Sequence, residues 1–159
     1  MNKKQHFQRH DLVRIAIDAM RDRGLEPEFP PHALQQLDTI AGPVLEDGPL
    51  VRDLTDLPWC SIDNDDSLDL DQLTACSVMG SGAVKIWIAV ADVDVLVKKN
   101  SAIDAHARIN TTSVYTSARV FPMLPERLST NLTSLNPGEE RVAIVTEMMV
   151  DAEGEVTHS

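Results

Sequence analysis

The hydrophobic positions of this chain change their period once. Leu12, Ile15, Ala16 and Ala19, with Met20 beside them, recur at helical intervals, which predicts a helix with Asp11 as N-cap and Gly24 as C-cap. Arg21 and Arg23 fall where the helix dipole favours positive charge. Pro27, Pro30 and Pro31 interrupt the pattern, and a shorter helix follows over 32–40 with Leu34, Leu37 and Ile40 facing inward. Gly42 and Pro43 stop it, and 46–58 reads as a loop with turn signals at Gly48 and Pro49. Beyond that loop the pattern becomes strand-like. A strand over 73–79, a turn through Gly80, Ser81, Gly82 and Ala83, and the run VKIWIAVADV over 84–93 predict an antiparallel hairpin. The second strand is apolar enough to be buried on both faces. A helix over 102–109 is expected with Ser101 as N-cap and Asp104 in its first turn. Short extended pieces at 111–115 and 119–121, a helical turn at 125–130 and a β-type run over 141–150 come next. After a turn at Asp151, Glu153 and Gly154 a returning strand begins, and the chain stops, as a truncated domain would. The expected fold is α+β: a small helical region over 1–45, then a mixed, mainly antiparallel sheet with short helices over 46–159.

Composition narrows the class. The chain has 159 residues, 43% hydrophobic and 25% charged, the balance of a globular protein. No window offers the roughly 18 apolar residues of a membrane span, and the basic start leads into no apolar signal segment. Cys60 and Cys76 are the only cysteines and lack CxxC spacing, which fits a reducing, cytoplasmic setting and no membrane partner.

The net charge of −11 argues, taken overall, against a phosphate backbone as partner. The acidity is uneven, however: five aspartates lie between Asp63 and Asp71 and account for about half of the excess. Carboxylates packed this closely repel one another unless solvent or a cation screens them. An exposed acidic loop is the plain reading. Against it, Ile62, Leu68, Leu70 and Leu73 are interleaved with the acids and would anchor them to a core. An EF-hand is a poor match. Counting from Asp63, the sixth position is Leu68 and the twelfth is Thr74, where a glycine and a bidentate glutamate are needed. Magnesium, which takes few carboxylates and bridges to substrate phosphate, remains.

The segment from Ser61 to Leu73 resembles the signature of the ribonuclease II (RNB) family of exoribonucleases. In that family an Ile-Asp pair is followed, five residues on, by Asp-x-Asp-Asp. Asp63, Asp69 and Asp71 match the first three acids, and the fourth falls on Gln72, which accepts through its amide oxygen but carries no charge. Further blocks recur in order: 52–58 (RDLTDLP), 88–93 (IAVADV), 112–115 (TSVY), 121–129 (FPMLPERLS) and 134–138 (SLNPG). The likeness runs from about residue 50 to the end, whereas residues 1–45 carry no motif of the family. It implies a partial RNB domain and magnesium-dependent 3′→5′ hydrolysis of single-stranded RNA to nucleoside 5′-monophosphates. Under it Asp63, Asp69 and Asp71 hold metal. Asp69, Asp71 and Gln72 are the catalytic positions, and Tyr115 stacks on the terminal nucleotide. The alternatives are a non-catalytic RNB-like fragment that binds RNA or a protein, and an acidic module without nucleic acid.

Other residues carry weaker signals. Arg108, Arg119, Arg127 and Arg141 with Lys98 and Lys99 form either a phosphate track or solvated surface. Trp59 and Trp87 read as core, and Asp92, inside an apolar run, needs a hydrogen-bonding partner. A sheet lacking further strands would leave an open edge through which copies of the chain self-associate.

Overall fold

The computed structural model describes residues 8–46, 48–80 and 82–159. Most of the basic start of the chain, and Ser81 of the expected turn, lie outside them. In chain order the elements are α1 (Arg9–Asp22), α2 (Pro31–Thr39), β1 (Gln72–Val78), β2 (Val84–Ala91) and a 3-10 turn (Val93–Val95). They continue with α3 (Ala102–Asn110), β3 (Val114–Tyr115), β4 (Val120–Phe121), a π-helical segment (Leu128–Leu132), β5 (Ala143–Val150) and β6 (Val156–His158). The fold is α+β, with antiparallel strand pairing throughout.

The chain divides into two compact units: Met1–Ala41 with Val97–Pro125, and Gly42–Leu96 with Glu126–Ser159. In the first, α1 begins two residues before the expected cap. Asp11 is therefore inside the helix, and its carboxylate accepts from the Gln8 N–H at 3.1 Å. Gly24 sits just beyond the helix end with φ of +75°, a conformation that glycine adopts without strain. The apolar stripe of α1 is less covered than its period predicts: Met20 is buried, but Leu12 and Ile15 are 39% and 48% exposed. In α2 the buried position is Ala33, and Leu34 stays exposed. The small Ala33 lets α2 approach α3, where Ile103 is fully buried and its N–H donates to Gln36 Oε1 at 2.9 Å. Ser101 caps α3 as expected, accepting from the Asp104 N–H.

The second unit is built on a four-stranded sheet of order β1-β2-β5-β6. Ala75, Trp87 and Glu147 lie side by side across its first three strands. Ala75, Trp87 and Ala89 are buried on one face, because side chains alternate along a strand. The expectation that β2 is buried on both faces fails on the other side. Val90 and its cross-strand neighbour Ile144 are 49% and 62% exposed, so this central strand has one covered face and one open face.

Candidate acidic site

The aspartates occupy an excursion of the chain whose base is closed. Cys60 and Thr74 exchange backbone hydrogen bonds at 2.9 and 2.8 Å, so residues 61–73 leave the sheet and return to it at one point. At the far end a turn forms where the Ser67 N–H donates to the Asn64 carbonyl. Asp63 supports that turn: its Oδ1 accepts from the Asn64 N–H at 3.0 Å and from the Ser67 hydroxyl. The returning limb is held by backbone atoms. The Leu70 N–H donates to Ser134 Oγ, the Ser134 hydroxyl reaches the Leu68 carbonyl, and the Leu135 N–H donates to the Leu70 carbonyl at 2.8 Å. One residue on, the Ala91 N–H donates to the Asp71 carbonyl and continues the β1–β2 ladder.

This arrangement corrects the expected anchoring. Ile62 and Leu68 are 85% and 67% exposed and anchor nothing, whereas Leu70 and Leu73 are half-buried as expected. Hydrogen bonds to the backbone of the limb supply the rest of the hold. Sequence reasoning missed Ser134 and Leu135. The signal available was the SLNPG block, whose spacing gives no hint of a partner more than sixty residues earlier.

Asp69 and Asp71 share the returning limb, and both are exposed. Gln72 opens β1 opposite Val90, on the open face of the sheet, and by strand alternation projects to the face opposite Asp71 and Leu73. Tyr115 belongs to the other unit, where it pairs with Val120 in the β3–β4 ribbon and is 68% exposed. The donors suit a hard divalent cation in kind, since all are carboxylates. In placement they do not: among the described residues, no three of His, Cys, Asp or Glu gather as a cation site.

Many other charges of the chain are engaged with each other. Asp92 caps the 3-10 turn, its carboxylate accepting from the Asp94 N–H, while its backbone N–H donates to the Val142 carbonyl. Glu147 receives Lys85 Nζ at 2.6 Å and Trp87 Nε1 at 2.8 Å, with Arg52 at 3.8 Å. The Lys85 and Trp87 hydrogen bonds hold its carboxyl below the usual glutamate range. Asp53 is lowered by hydrogen bonds from the Thr55 N–H and hydroxyl. Of the bases considered as a phosphate track, Arg108 pairs with Asp104, Arg119 with Glu28 and Arg141 with Glu139. A wide cleft in the same unit is lined by Trp59, Leu73, Trp87, Ala89, Asp92 and Leu135, among others.

The profile of the RNB domain matches residues 51–159. The chain belongs to the RNB family. It is 38% identical over 145 residues to ribonuclease R of Escherichia coli (strain K12), covering 90% of this chain and 18% of that protein. Ribonuclease R of Mycoplasma pneumoniae is 42% identical over 112 residues, 70% of this chain and 15% of its own length. Among solved structures, Mycoplasma genitalium RNase R in complex with double-stranded RNA superposes with a TM-score of 0.79 at 34% identity, over 91% of this chain and 26% of that one. The chain therefore spans less than a fifth of the length of these two curated RNB relatives. Likeness to the E. coli protein also extends into the helical segment before residue 51, where no family motif is legible.

Proposed function

We propose that this chain carries the acidic part of a 3′→5′ exoribonuclease centre that hydrolyses single-stranded RNA to nucleoside 5′-monophosphates in the cytoplasm. The observation that supports this most is the backbone-held excursion 61–73, which presents Asp63, Asp69 and Asp71 to solvent within an RNB-matching segment. Magnesium is the cation this reading carries, with Asp63, Asp69 and Asp71 as its holders. The Asn64 N–H and the Ser67 hydroxyl both fall on Oδ1 of Asp63. Asp69, Asp71 and Gln72 are the positions assigned to the reacting phosphate. Gln72, which projects to the face opposite Asp71, moves no proton, because an amide is not a base at neutral pH. Tyr115 offers an exposed ring for stacking on a terminal base without reading its identity.

The test is incubation of the chain with uniformly labelled single-stranded RNA and magnesium. Release of mononucleotides, reduced by about a hundredfold or more in Asp71→Asn, is the expected result. Binding without cleavage supports the second reading, a non-catalytic RNB-like fragment, which the uncharged Gln72 and the dispersed carboxylates favour. An intact chain that neither binds nor cleaves RNA refutes the first reading and leaves of the second only a fragment that binds a protein.

A further inference from the structure

We infer that Ser134 is a positioning residue for Asp69; this deepens the ribonuclease reading above and rests on it. Ser134 is fully buried, yet it bonds to the limb that carries the exposed Asp69 and Asp71. Its Oγ accepts from the Leu70 N–H at 3.0 Å and lies 2.9 Å from both the Leu68 carbonyl and Asn136 Oδ1. A hydroxyl has one proton and two lone pairs. It therefore serves one of those two acceptors at a time, and the proton given to Leu68 closes a bridge between the two residues that flank Asp69. Turning the Asn136 amide over presents an N–H to the same oxygen and leaves that bridge intact. The Leu135 N–H, donating to the Leu70 carbonyl at 2.8 Å, adds a third hold on the same limb.

Asp69 sits between the two pinned residues, so its Cα is placed by Ser134 although the two side chains need not touch. Leu68 is 67% exposed, so packing does not define its place. The ladder bond nearest on the other side is the one to the Asp71 carbonyl. With the Ser134 hydroxyl gone, the Leu68 carbonyl and Leu70 N–H both turn to solvent, and the limb gains freedom exactly where a reacting group must be fixed. The buried SLNPG serine thus acts on the reaction through the backbone.

The experiment compares the full chain with Ser134→Ala and Ser134→Cys. Two measurements are made: amide hydrogen exchange, and kcat and KM for single-stranded RNA. The expected result is loss of Leu70 amide protection by about tenfold or more, while Thr74, bonded to Cys60, keeps its protection. With it, kcat falls by about ten- to a hundredfold and KM stays within about twofold. Ser134→Cys, which keeps a weak donor and acceptor at that position, recovers part of the loss and carries the comparison if the alanine variant does not fold. Lost Leu70 protection with unchanged kcat overturns the proposal by showing a purely structural pin. Unchanged Leu70 protection overturns it by showing no pin. If the unaltered chain releases no nucleotide, the ribonuclease reading fails and the positioning role with it; Leu70 protection still reports the pin, which tells the two failures apart.

Discussion

The α3 region of the helical unit and the acidic excursion of the sheet unit, each taken by itself, handle polar groups in opposite ways. Around α3 the side chains satisfy one another inside the protein. Asn110, 2% exposed, accepts from the Glu26 N–H at 2.8 Å and donates to the Glu26 carbonyl at 2.9 Å. Those two bonds fix the direction of its amide, so its N–H faces His106 Nε2 at 3.0 Å. His106 must then present a lone pair at Nε2 and its proton at Nδ1, where it donates to Glu26 Oε2 at 3.0 Å. The Phe29 ring packs against the imidazole, 4.3 Å between centroids. In the acidic excursion the backbone is held and the side chains face water. Internal satisfaction makes a rigid joint, whereas a pinned backbone with exposed acids keeps charge available at a defined place. Substitutions in the first region should therefore reduce stability, and those in the second should reduce function.

The sharpest break of that contrast is Asn110→Ala. It removes three hydrogen bonds and strands half-buried partners on Glu26 and a buried one on His106. The expected destabilisation is about 3 kcal/mol, read as a lower urea midpoint of unfolding. A change below about 0.5 kcal/mol would mean that the network is not satisfied internally. Next in size, Tyr115→Ala is expected to weaken RNA binding by about 1–3 kcal/mol while leaving the unfolding midpoint in place, because the ring is 68% exposed. A lower melting temperature with unchanged RNA affinity would assign Tyr115 to the joint instead.

Acid should separate the regions more gently. Glu28 is lowered chiefly by the Arg119 hydrogen bond, Asp104 by the Asn100 N–H, and Glu147 by the Lys85 hydrogen bond. A carboxyl lowered by folding stabilises the fold fully above its unfolded value, 4.5 for glutamate and 3.8 for aspartate. It loses that contribution as pH falls through the folded value. The contribution of these three carboxyls should be constant from pH 7 to about 5 and then decline. Glu147→Gln should flatten the acid limb in thermal melts taken at stepped pH. A decline that begins above pH 6 would point to other groups. The smallest effect is expected for Asp65→Asn. Replacing an exposed acid that receives none of the pinning bonds should change stability by less than about 0.5 kcal/mol, by urea unfolding. A large loss would show that this acid, too, is built into the fold.

Much of the architecture was legible because its signals are local. The β2 run, the Gly82 turn with φ of +83° and the Ser101 cap each lie within a few residues of the structure they specify. Burial was less legible. Leu12, Leu34 and Val90 obey the period of their elements yet stay 39%, 44% and 49% exposed, since periodicity marks a face and not what covers it. The candidate site divides in the same manner. The spacing of Asp63, Asp69 and Asp71 is visible in the chain. That Gln72 projects from the open face opposite Val90 follows only from strand register.

The order of residues alone determined the kind and sequence of the elements, the dense run of acids and the likeness to the RNB family, because propensity, periodicity and motif spacing are properties of neighbours along the chain. Tertiary structure alone decided how those acids are held and how the α3 joint is locked. Leu70 meets Ser134 across 64 residues, and Asn110 meets Glu26 across 84. Contacts of that span form only when packing brings distant backbone together, and short, otherwise ordinary residues such as Ser134 and Asn110 carry no local pattern that announces them.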